Sequence, residues 1–273
     1  MKLLQKIIIL SVALFVTGCE KAINVPLTTA SPRLVIDASI DWVKNTTGNE
    51  QKIILSTTTG YYSSEFPSVS GAVVTVTNAS NTVFNFVETP GTGQYVCHNF
   101  LPVVGQAYNL KIVLNGETYT ASETFTPVPK IEDNIDQNNK GGEMGDEIEV
   151  TFSYKDNASQ ANFYLNSISQ PYSPFPELEV EDDEHTNGNL MQESFSHEKL
   201  KAGDQVDFKL YGISESYYNY LFKLILATGN DGNPFPTTPG TVRGNIINQT
   251  NSNHYALGYF RLAEVDTKSY KIK

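Results

Sequence analysis

Apolar and polar residues alternate with a period of two along much of this chain, and that spacing predicts β-strands whose alternate side chains face a core. Two of these runs are separated by Asn115 and Gly116. An Asn-Gly pair in this place predicts a tight hairpin, because both turn residues must accept a positive φ. The strands predicted in the first half of the chain cover residues 33–40, 52–56, 72–77, 83–87, 94–98, 107–114 and 117–125.

About seven short strands within residues 32–128 predict a β-sandwich of the immunoglobulin-like or transthyretin-like kind. Pro127 and Pro129 mark the end of this predicted domain, because two prolines so close together cannot continue a central strand. Alternation resumes within residues 129–273, whereas the polar residues 133–146 predict a mobile loop. The strands predicted there cover residues 147–154, 162–166 and 205–211.

One segment of the second half has helical rather than strand spacing. Its apolar residues recur at the i, i+3, i+4 and i+7 positions of a buried stripe, namely Tyr218, Leu221, Phe222 and Ile225. Ser214 precedes this stripe and is a suitable N-cap, so a helix is predicted over 214–228. We therefore expect a mainly β fold, with a β-sandwich domain over 32–128 and a second, mostly β domain over 129–273 that carries one substantial helix.

The N-terminal segment has the organisation of a secretory signal. Two lysines precede an apolar run over residues 7–16, which is too short to span a bilayer as a helix. Small residues then lead to Cys19, a pattern typical of a lipobox, so we expect residues 1–18 to be a lipoprotein signal peptide and Cys19 to be acylated. An ordinary signal peptide that happens to contain this cysteine is the alternative. Residues 19–31 are then a lipidated tether.

Acidic residues outnumber basic residues, with 30 Asp and Glu against 19 Lys and Arg, for a net charge of −11. Loss of the two leader lysines on cleavage lowers this charge to −13. Such an acidic chain does not neutralise phosphates, so nucleic acid is excluded as a partner. It also does not bind anionic lipid by charge attraction. The expected membrane attachment is therefore the lipid on Cys19. Cys97 is then left without a cysteine partner, and we expect it to be a small buried residue.

Motifs for catalysis and metal binding are incomplete. Residues 212–216 lack the second glycine of a nucleophile elbow, and Lys201 stands where a zinc-binding helix beginning at His197 needs its second histidine. The acidic residues 177–184 predict a solvated loop; calcium binding there stays open, although Ser194 replaces the glutamate that an EF-hand loop needs. We expect no enzyme activity, no metal and no cofactor, with a hydrolase of unrecognised site as the remaining alternative.

A set of short motifs is distributed over the chain after the leader. They comprise Cys19-Glu20 and residues 34–37, 69–74, 93–95, 217–220, 229–236, 243–246 and 256–260. This combination resembles one family of Bacteroidota outer-membrane lipoproteins, which carries a domain of unknown function and is usually encoded beside a TonB-dependent receptor. The resemblance implies an outer-membrane location, a lipid anchor and this receptor as a partner. Lys21 follows Glu20 in place of the acidic run that often directs surface export. The sequence therefore leaves both the outer surface and the periplasmic side of the membrane as locations.

Some residues of these motifs, and of one further loop, have side chains suited to a ligand or a partner protein. Arg243 has a planar guanidinium group that matches a carboxylate or sugar oxygens, and the proline-rich loop 170–176 carries aromatic side chains. Gly258 predicts a close backbone approach in the last strands. The predicted contact residues are Asn233, Phe235, Arg243, Asn245, Tyr172 and Phe175.

Two functions are compatible with these features. The first is a non-catalytic lipoprotein, anchored in the outer membrane, that serves a TonB-dependent transporter as an accessory or substrate-capture partner. The second is a structural or adhesive lipoprotein of the cell envelope with no small-molecule ligand. Saturable binding of a small ligand separates the first function from the second.

Overall fold

The alternating segments of the first half fold into strands at the predicted positions. The structure is a computed structural model that describes residues 30–61, 63, 65–228 and 240–273. The strands are β1 (Leu34–Val43), β2 (Gln51–Thr57), β3 (Val73–Asn78), β4 (Val83–Thr89), β5 (Gln94–Cys97), β6 (Ala107–Leu114) and β7 (Glu117–Thr124). In β6 the residues Tyr108, Leu110 and Ile112 are buried, while the residues between them are exposed.

Backbone angles confirm the predicted hairpin and show a second hairpin between neighbouring strands. Asn115 and Gly116 join β6 to β7 with φ values of 51° and 80°, the left-handed conformation that a tight turn between these strands requires. Gly91 and Gly93 connect β4 to β5, also at positive φ. Gly93 has a second reason to be glycine, because a Cβ there would lie 2.4 Å from the carbonyl oxygen of Leu55.

The second half of the chain adds further strands and a helix. The strands are β8 (Asp136–Gly141), β9 (Glu147–Lys155), β10 (Phe163–Ser169), β11 (Glu177–Asp182), β12 (Leu190–Ser196), β13 (Gln205–Ile213), β14 (Ile247–Asn248) and β15 (Leu257–Lys271). The helix α1 covers Glu215–Thr228, as predicted. Ser214 caps this helix, because its Oγ accepts a hydrogen bond from the backbone N–H of Tyr217 at 3.2 Å. The mainly β fold class with one substantial helix is thereby confirmed.

Two polar segments that were predicted as loops contain strands instead. Residues 133–146 include β8, which pairs with β9, and the acidic residues 177–184 include β11, which pairs with β10. Strand pairing uses backbone hydrogen bonds, so a strand at the edge of a sheet forms even where its side chains are polar. The polar side chains of β8 carried no alternation, and in β11 the high density of carboxylates outweighed a short alternation with Leu178 and Val180.

Twelve strands form one sheet in the order β11-β10-β13-β15-β1-β2-β5-β4-β3-β6-β7-β14. The start of β4 pairs with β3 and its end pairs with β5, so the sheet folds over on itself at this strand. The folded part is a sandwich that encloses the first core, in which Cys97 is buried as predicted. Its largest fully buried side chains are Tyr95, Tyr108, Phe84, Phe100, Phe125 and Phe260.

Strands β1 and β15 lie side by side in the middle of this sheet. They pair in parallel, from Val35 opposite Leu257 to Val43 opposite Val265. Gly258 belongs to this pair with a φ of 94°, and a Cβ there would lie only 2.0 Å from the carbonyl oxygen of Ile36. The predicted close backbone approach at this glycine is therefore confirmed.

A three-stranded sheet, in the order β12-β9-β8, covers one face of β10 and β13. The second core fills the space between, where the ring centroids of Phe152 and Phe208 lie 5.0 Å apart. The helix α1 packs on the opposite face of the same strands, where Leu221 belongs with Leu165 and Ile213 to a third apolar cluster. Strands β10 and β13 are thus covered on both faces.

The domain boundary predicted near residue 128 stays a prediction. Residues Pro32–Lys273 form one compact unit. The N-terminal part of the first core ends at Phe125, and the second core begins at Val128. The C-terminal segment contributes to both cores, through Phe260 to the first and through Ile272 to the second. The two halves of the chain are therefore joined by shared strands as well as by sequence.

Gly258→Ala is expected to destabilise the protein strongly, because the new methyl group would collide with the backbone of Ile36 at an unfavourable φ. Gly203 has a φ of 97° but no atom within 4 Å of an added Cβ, so Gly203→Ala measures the backbone strain alone. Urea unfolding should show a loss of about 3 kcal/mol for Gly258→Ala and about 1 kcal/mol for Gly203→Ala. Equal losses in the two variants would contradict the view that the close approach of Gly258 to Ile36 requires glycine there.

Candidate functional site

A cleft of about 370 Å³ opens beside the N-terminal half of α1. The helix contributes Asn219, Tyr220 and Lys223 to one side, and the chain segment 240–245 forms the other side. Residues 219, 220 and 223 share one face of the helix because side chains three and four positions apart lie above one another. Tyr259 of β15 also lines the cleft, so the helix, the sheet and a connecting segment all build it.

Three tyrosine rings pack together at this place. The ring centroid of Tyr259 lies 4.8 Å from that of Tyr217 and 4.9 Å from that of Tyr220. The hydroxyl of Tyr259 donates a hydrogen bond to Glu123 at 3.4 Å, and burial raises the pKa of both groups. Because two of the rings come from α1 and the third from β15, the cluster fastens the helix to the sheet.

Next to these tyrosines the buried Arg261 forms an ion pair with Asp41 at 2.8 Å. Its guanidinium also lies 4.9 Å and 5.2 Å from the ring centroids of Tyr211 and Tyr217. Burial raises the pKa of the Asp41 carboxyl, and the Arg261 cation opposes that rise. Since β1 carries the acid and β15 the base, the pair strengthens the parallel contact between these strands.

Two cationic side chains line the cleft, Lys223 from α1 and Arg243 from the opposite segment. None of the described residues that line the cleft is acidic, although the chain has a net charge of −11. The Arg243 guanidinium carbon lies 3.8 Å from the ring centroid of Tyr255, and that of Arg33 lies 4.1 Å from the same centroid. This cation–π contact orients Arg243 and does not use up its N–H donors.

Asn245 also lines the cleft, but its amide group is committed to the protein backbone. Nδ2 donates to the carbonyl oxygen of Phe260 and Oδ1 accepts from the N–H of the same residue, both at 2.9 Å. Gly244 beside it lies so close to β15 that a Cβ would be 1.7 Å from the carbonyl oxygen of Gly258. These contacts hold the segment that carries Arg243, so Asn245 positions the site.

The other predicted contact residues have separate locations. Asn233 and Phe235 lie outside the described residues. The hydroxyl of Tyr172 donates to Asp204 at 2.6 Å and its ring stacks on His197, so this tyrosine stabilises its own loop. Phe175 is 76% exposed and belongs to a different surface.

Sequence reasoning therefore found Arg243 and Asn245 but missed Lys223, Tyr220 and Tyr259. The helical pattern contained a signal for the first two of these, because both lie beside the predicted apolar stripe. Tyr259 had no such signal, since the last strand was recognised only through its motif.

Within the described ranges, no three histidine, cysteine, aspartate or glutamate residues are placed to hold a metal ion. No helix in the described part of the chain is long and apolar enough to cross a membrane. What the cleft presents is two cations beside tyrosine rings, a combination suited to anionic and hydroxyl-rich groups.

Comparison with protein families agrees with one part of the resemblance found in the sequence, the domain of unknown function. A family model described as "Domain of unknown function (DUF4249)" matches residues 20–269. The chain belongs to this family. The DUF4249 match covers the first core, all of the second core except Ile272, and every residue that lines the cleft. The comparison with curated proteins found no match.

Several solved structures show a distant likeness. A segment of two fibronectin type III domains from chicken tenascin is 15% identical, with 66% of this chain and 90% of that chain covered, at a TM-score of 0.22. A DUF4785 family protein from Legionella pneumophila is 8% identical over 66% of this chain and 52% of its own, at 0.26. The chicken interferon gamma receptor alpha chain is 9% identical over 68% and 90%, at 0.21. None of these likenesses bears on function.

Arg261→Met is expected to lower the free energy of unfolding by about 2–3 kcal/mol, since Asp41 would lose its cation in a poorly solvated site. The double variant Arg261→Met with Asp41→Leu should recover most of this loss, because no unpaired charge then remains. Urea unfolding at pH 7 measures both changes. As a control, Lys130→Met removes an exposed pair with Asp133 and should cost less than about 1 kcal/mol. A double variant as unstable as the single one would argue against the ion pair.

Proposed function

We propose that this protein is a lipoprotein anchored by its lipid in the outer membrane of a member of the Bacteroidota. The lipobox that ends at Cys19 and the tether over 19–31 support this proposal. The DUF4249 match supports it as well, because it begins at residue 20, directly after the cysteine to be acylated. Two or three acyl chains, at about 0.8 kcal/mol for each buried methylene, are enough to anchor a folded domain.

We further propose that the protein has no catalytic activity and captures a substrate for a TonB-dependent receptor, its partner in the membrane. The cleft beside α1 is the observation that carries this proposal. Lys223 and Arg243 concentrate positive charge there in an otherwise acidic protein. Tyr220 is only partly buried and adds aromatic surface on which a sugar ring can stack, while the buried Tyr259 supports its ring from below. The ligand class that matches these groups bears carboxylates and hydroxyls, as acidic saccharides do.

Acidic oligosaccharides should therefore bind in a saturable way when titrated into the protein by calorimetry, with oligogalacturonides as the probe and neutral cello-oligosaccharides for comparison. The double variant Lys223→Gln with Arg243→Gln should bind at least about tenfold more weakly, because charge-assisted hydrogen bonds are lost. The variant Lys52→Gln with Lys111→Gln makes the same charge change at exposed positions elsewhere and should bind normally. Equal losses in both variants would show that only net charge matters.

A structural or adhesive role in the envelope is the second candidate, and the exposure of large apolar side chains favours it. Phe175 is 76% exposed and Phe66 is 70% exposed, which is unusual for side chains of this size. No heat of binding with any saccharide would support this candidate and remove the capture function.

Tagged protein, solubilised from membranes in mild detergent, should bring down a large β-barrel receptor.

Cys19→Ser should lose the acyl mass and leave the membrane fraction, because the lipid is the proposed attachment. Cys97→Ser is the matched control, since that cysteine is buried in the first core and should leave acylation unchanged. Mass spectrometry measures the acyl mass, and fractionation shows whether the protein stays with the membrane. An unmodified Cys19 would refute the anchor, and repeated recovery of the protein alone would refute the receptor partnership.

A further inference from the structure

The edge strand β11 is part of a second surface that the proposed function does not use. Among the described residues β11 pairs with β10 alone, so one side of its backbone has no strand partner. Glu177, Glu179 and Glu181 alternate with Leu178 and Val180, and alternate residues of a strand point to opposite faces. This open edge therefore has one acidic face and one apolar face.

The acidic face lies opposite Glu193 of β12, across the gap between the two sheets. Glu193 is 8% exposed, and burial together with Glu181 raises its pKa to about 9. Burial and the same neighbour also raise the pKa of Glu179. Tyr154 donates a hydrogen bond to Glu181 at 3.3 Å. No lysine, arginine or histidine of the described chain forms an ion pair with these three carboxyl groups.

Asn166 of β10 lines a cavity of about 400 Å³ at β11, which includes Glu179 and Ser194 on the side of this gap and Val180 and Phe222 on the side of α1. It is only 1% exposed, yet neither atom of its amide group has a hydrogen-bond partner among the described residues. Its amide lies close enough to Glu193 to offset part of the rise in that pKa, without normal hydrogen-bond geometry. An unpaired buried amide is costly, and a polar ligand in the cavity would satisfy it.

The apolar face of β11 borders a groove of about 600 Å³ beside α1. Leu178 and Leu224 line this groove and are 44% and 37% exposed. Phe175 stands at the same groove with 76% of its surface exposed. An apolar groove beside an unpaired strand edge is the arrangement that added β-strands use in peptide recognition.

We propose that β11 binds an extended segment of a partner protein in which basic and apolar residues alternate. The segment pairs with the free backbone edge of β11 and continues the sheet. Its lysine or arginine side chains enter the cavity that Glu179 and Asn166 line, next to the buried Glu193. Its apolar side chains enter the groove of Leu178 and Leu224. The period of two in the segment matches the period of two in the strand.

The chemistry of the cavity favours a basic side chain over a metal ion. Within the described chain these carboxylates are not placed to hold a metal. An ammonium or guanidinium group reaches several acceptors through separate N–H donors, including the amide oxygen of Asn166. This surface is independent of the cleft beside α1, so either proposal can fail without the other.

The test titrates the full mature chain with a peptide in which lysine and valine alternate, and with a second peptide in which glutamate and valine alternate. Calorimetry at low salt should show saturable binding of the first peptide and none of the second. Glu179→Gln with Glu193→Gln should weaken binding at least about tenfold, because two acceptors lose their charge. Glu143→Gln with Glu198→Gln, at exposed positions, removes at least as much charge and should leave binding unaltered.

Further measurements test the edge pairing, the role of Glu193 and the independence of this surface from the cleft. Methylation of alternate backbone nitrogens in the lysine–valine peptide should abolish binding, since the edge pairing needs those donors. Affinity should increase from pH 6 to pH 8, because binding a cation ionises Glu193 and releases its proton. Lys223→Gln with Arg243→Gln should bind the peptide normally, which keeps this result distinct from saccharide capture.

Three results would overturn the proposal. In the first, the variant Glu179→Gln with Glu193→Gln binds the lysine–valine peptide as tightly as the unaltered protein. In the second, the methylated peptide binds as tightly as the unmethylated peptide. In the third, calcium ions alone bind in a saturable way, and Glu179→Gln with Glu193→Gln abolishes that binding. The last result would assign the cavity to a metal ion instead. Circular dichroism of each variant establishes that the fold is retained, and Glu193→Gln preserves the volume of the buried group.

Discussion

The parallel pairing of β1 with β15 is the contact on which most of this structure depends. It places two strands from opposite ends of the described chain side by side in the middle of the twelve-stranded sheet. Ile36 and Phe260 face the first core from this pair, whereas Asp41 and Arg261 form their ion pair on the other face. Parallel neighbours require a long connection. The helix and most residues of both cores lie within that connection, so this pairing closes the first and last strands around nearly all of the described architecture.

The same pairing determines where the cleft forms. Tyr259 lies on the face of β15 against which α1 packs, and its contacts with Tyr217 and Tyr220 set the position of the helix. The segment that carries Arg243 passes β15 at backbone contact distance, because Gly244 lies directly against Gly258. A larger residue at Gly244 would push this segment away from β15, because its Cβ would lie 1.7 Å from the carbonyl oxygen of Gly258. The separation of the two cations in the cleft is therefore set by backbone packing rather than by the cations themselves.

The two surfaces of the proposals have opposite electrostatic character. The cleft beside α1 gathers basic groups in an acidic protein, while the edge at β11 gathers carboxyl groups that burial partly protonates. In the proposed function the first surface holds an anionic ligand, and in our separate proposal for β11 the second surface holds a basic segment of a partner. Because a like-charged ligand is repelled at each surface, the two occupants would not compete.

Local patterning was sufficient for the seven strands before residue 128, the hairpin at Asn115 and the helix α1, because each depends on side-chain period and on the φ preferences of neighbouring residues. It failed at β8 and β11, since edge strands are held by the backbone of a partner strand. By itself, the sequence determined the mainly β class, the charge of the body and the chemistry of Arg243. Only the tertiary structure decided that Asp41 meets Arg261, 220 positions away, and that Lys223 and Tyr259 share a cleft with Arg243. Contacts between distant segments arise from packing and leave no periodic trace in either segment.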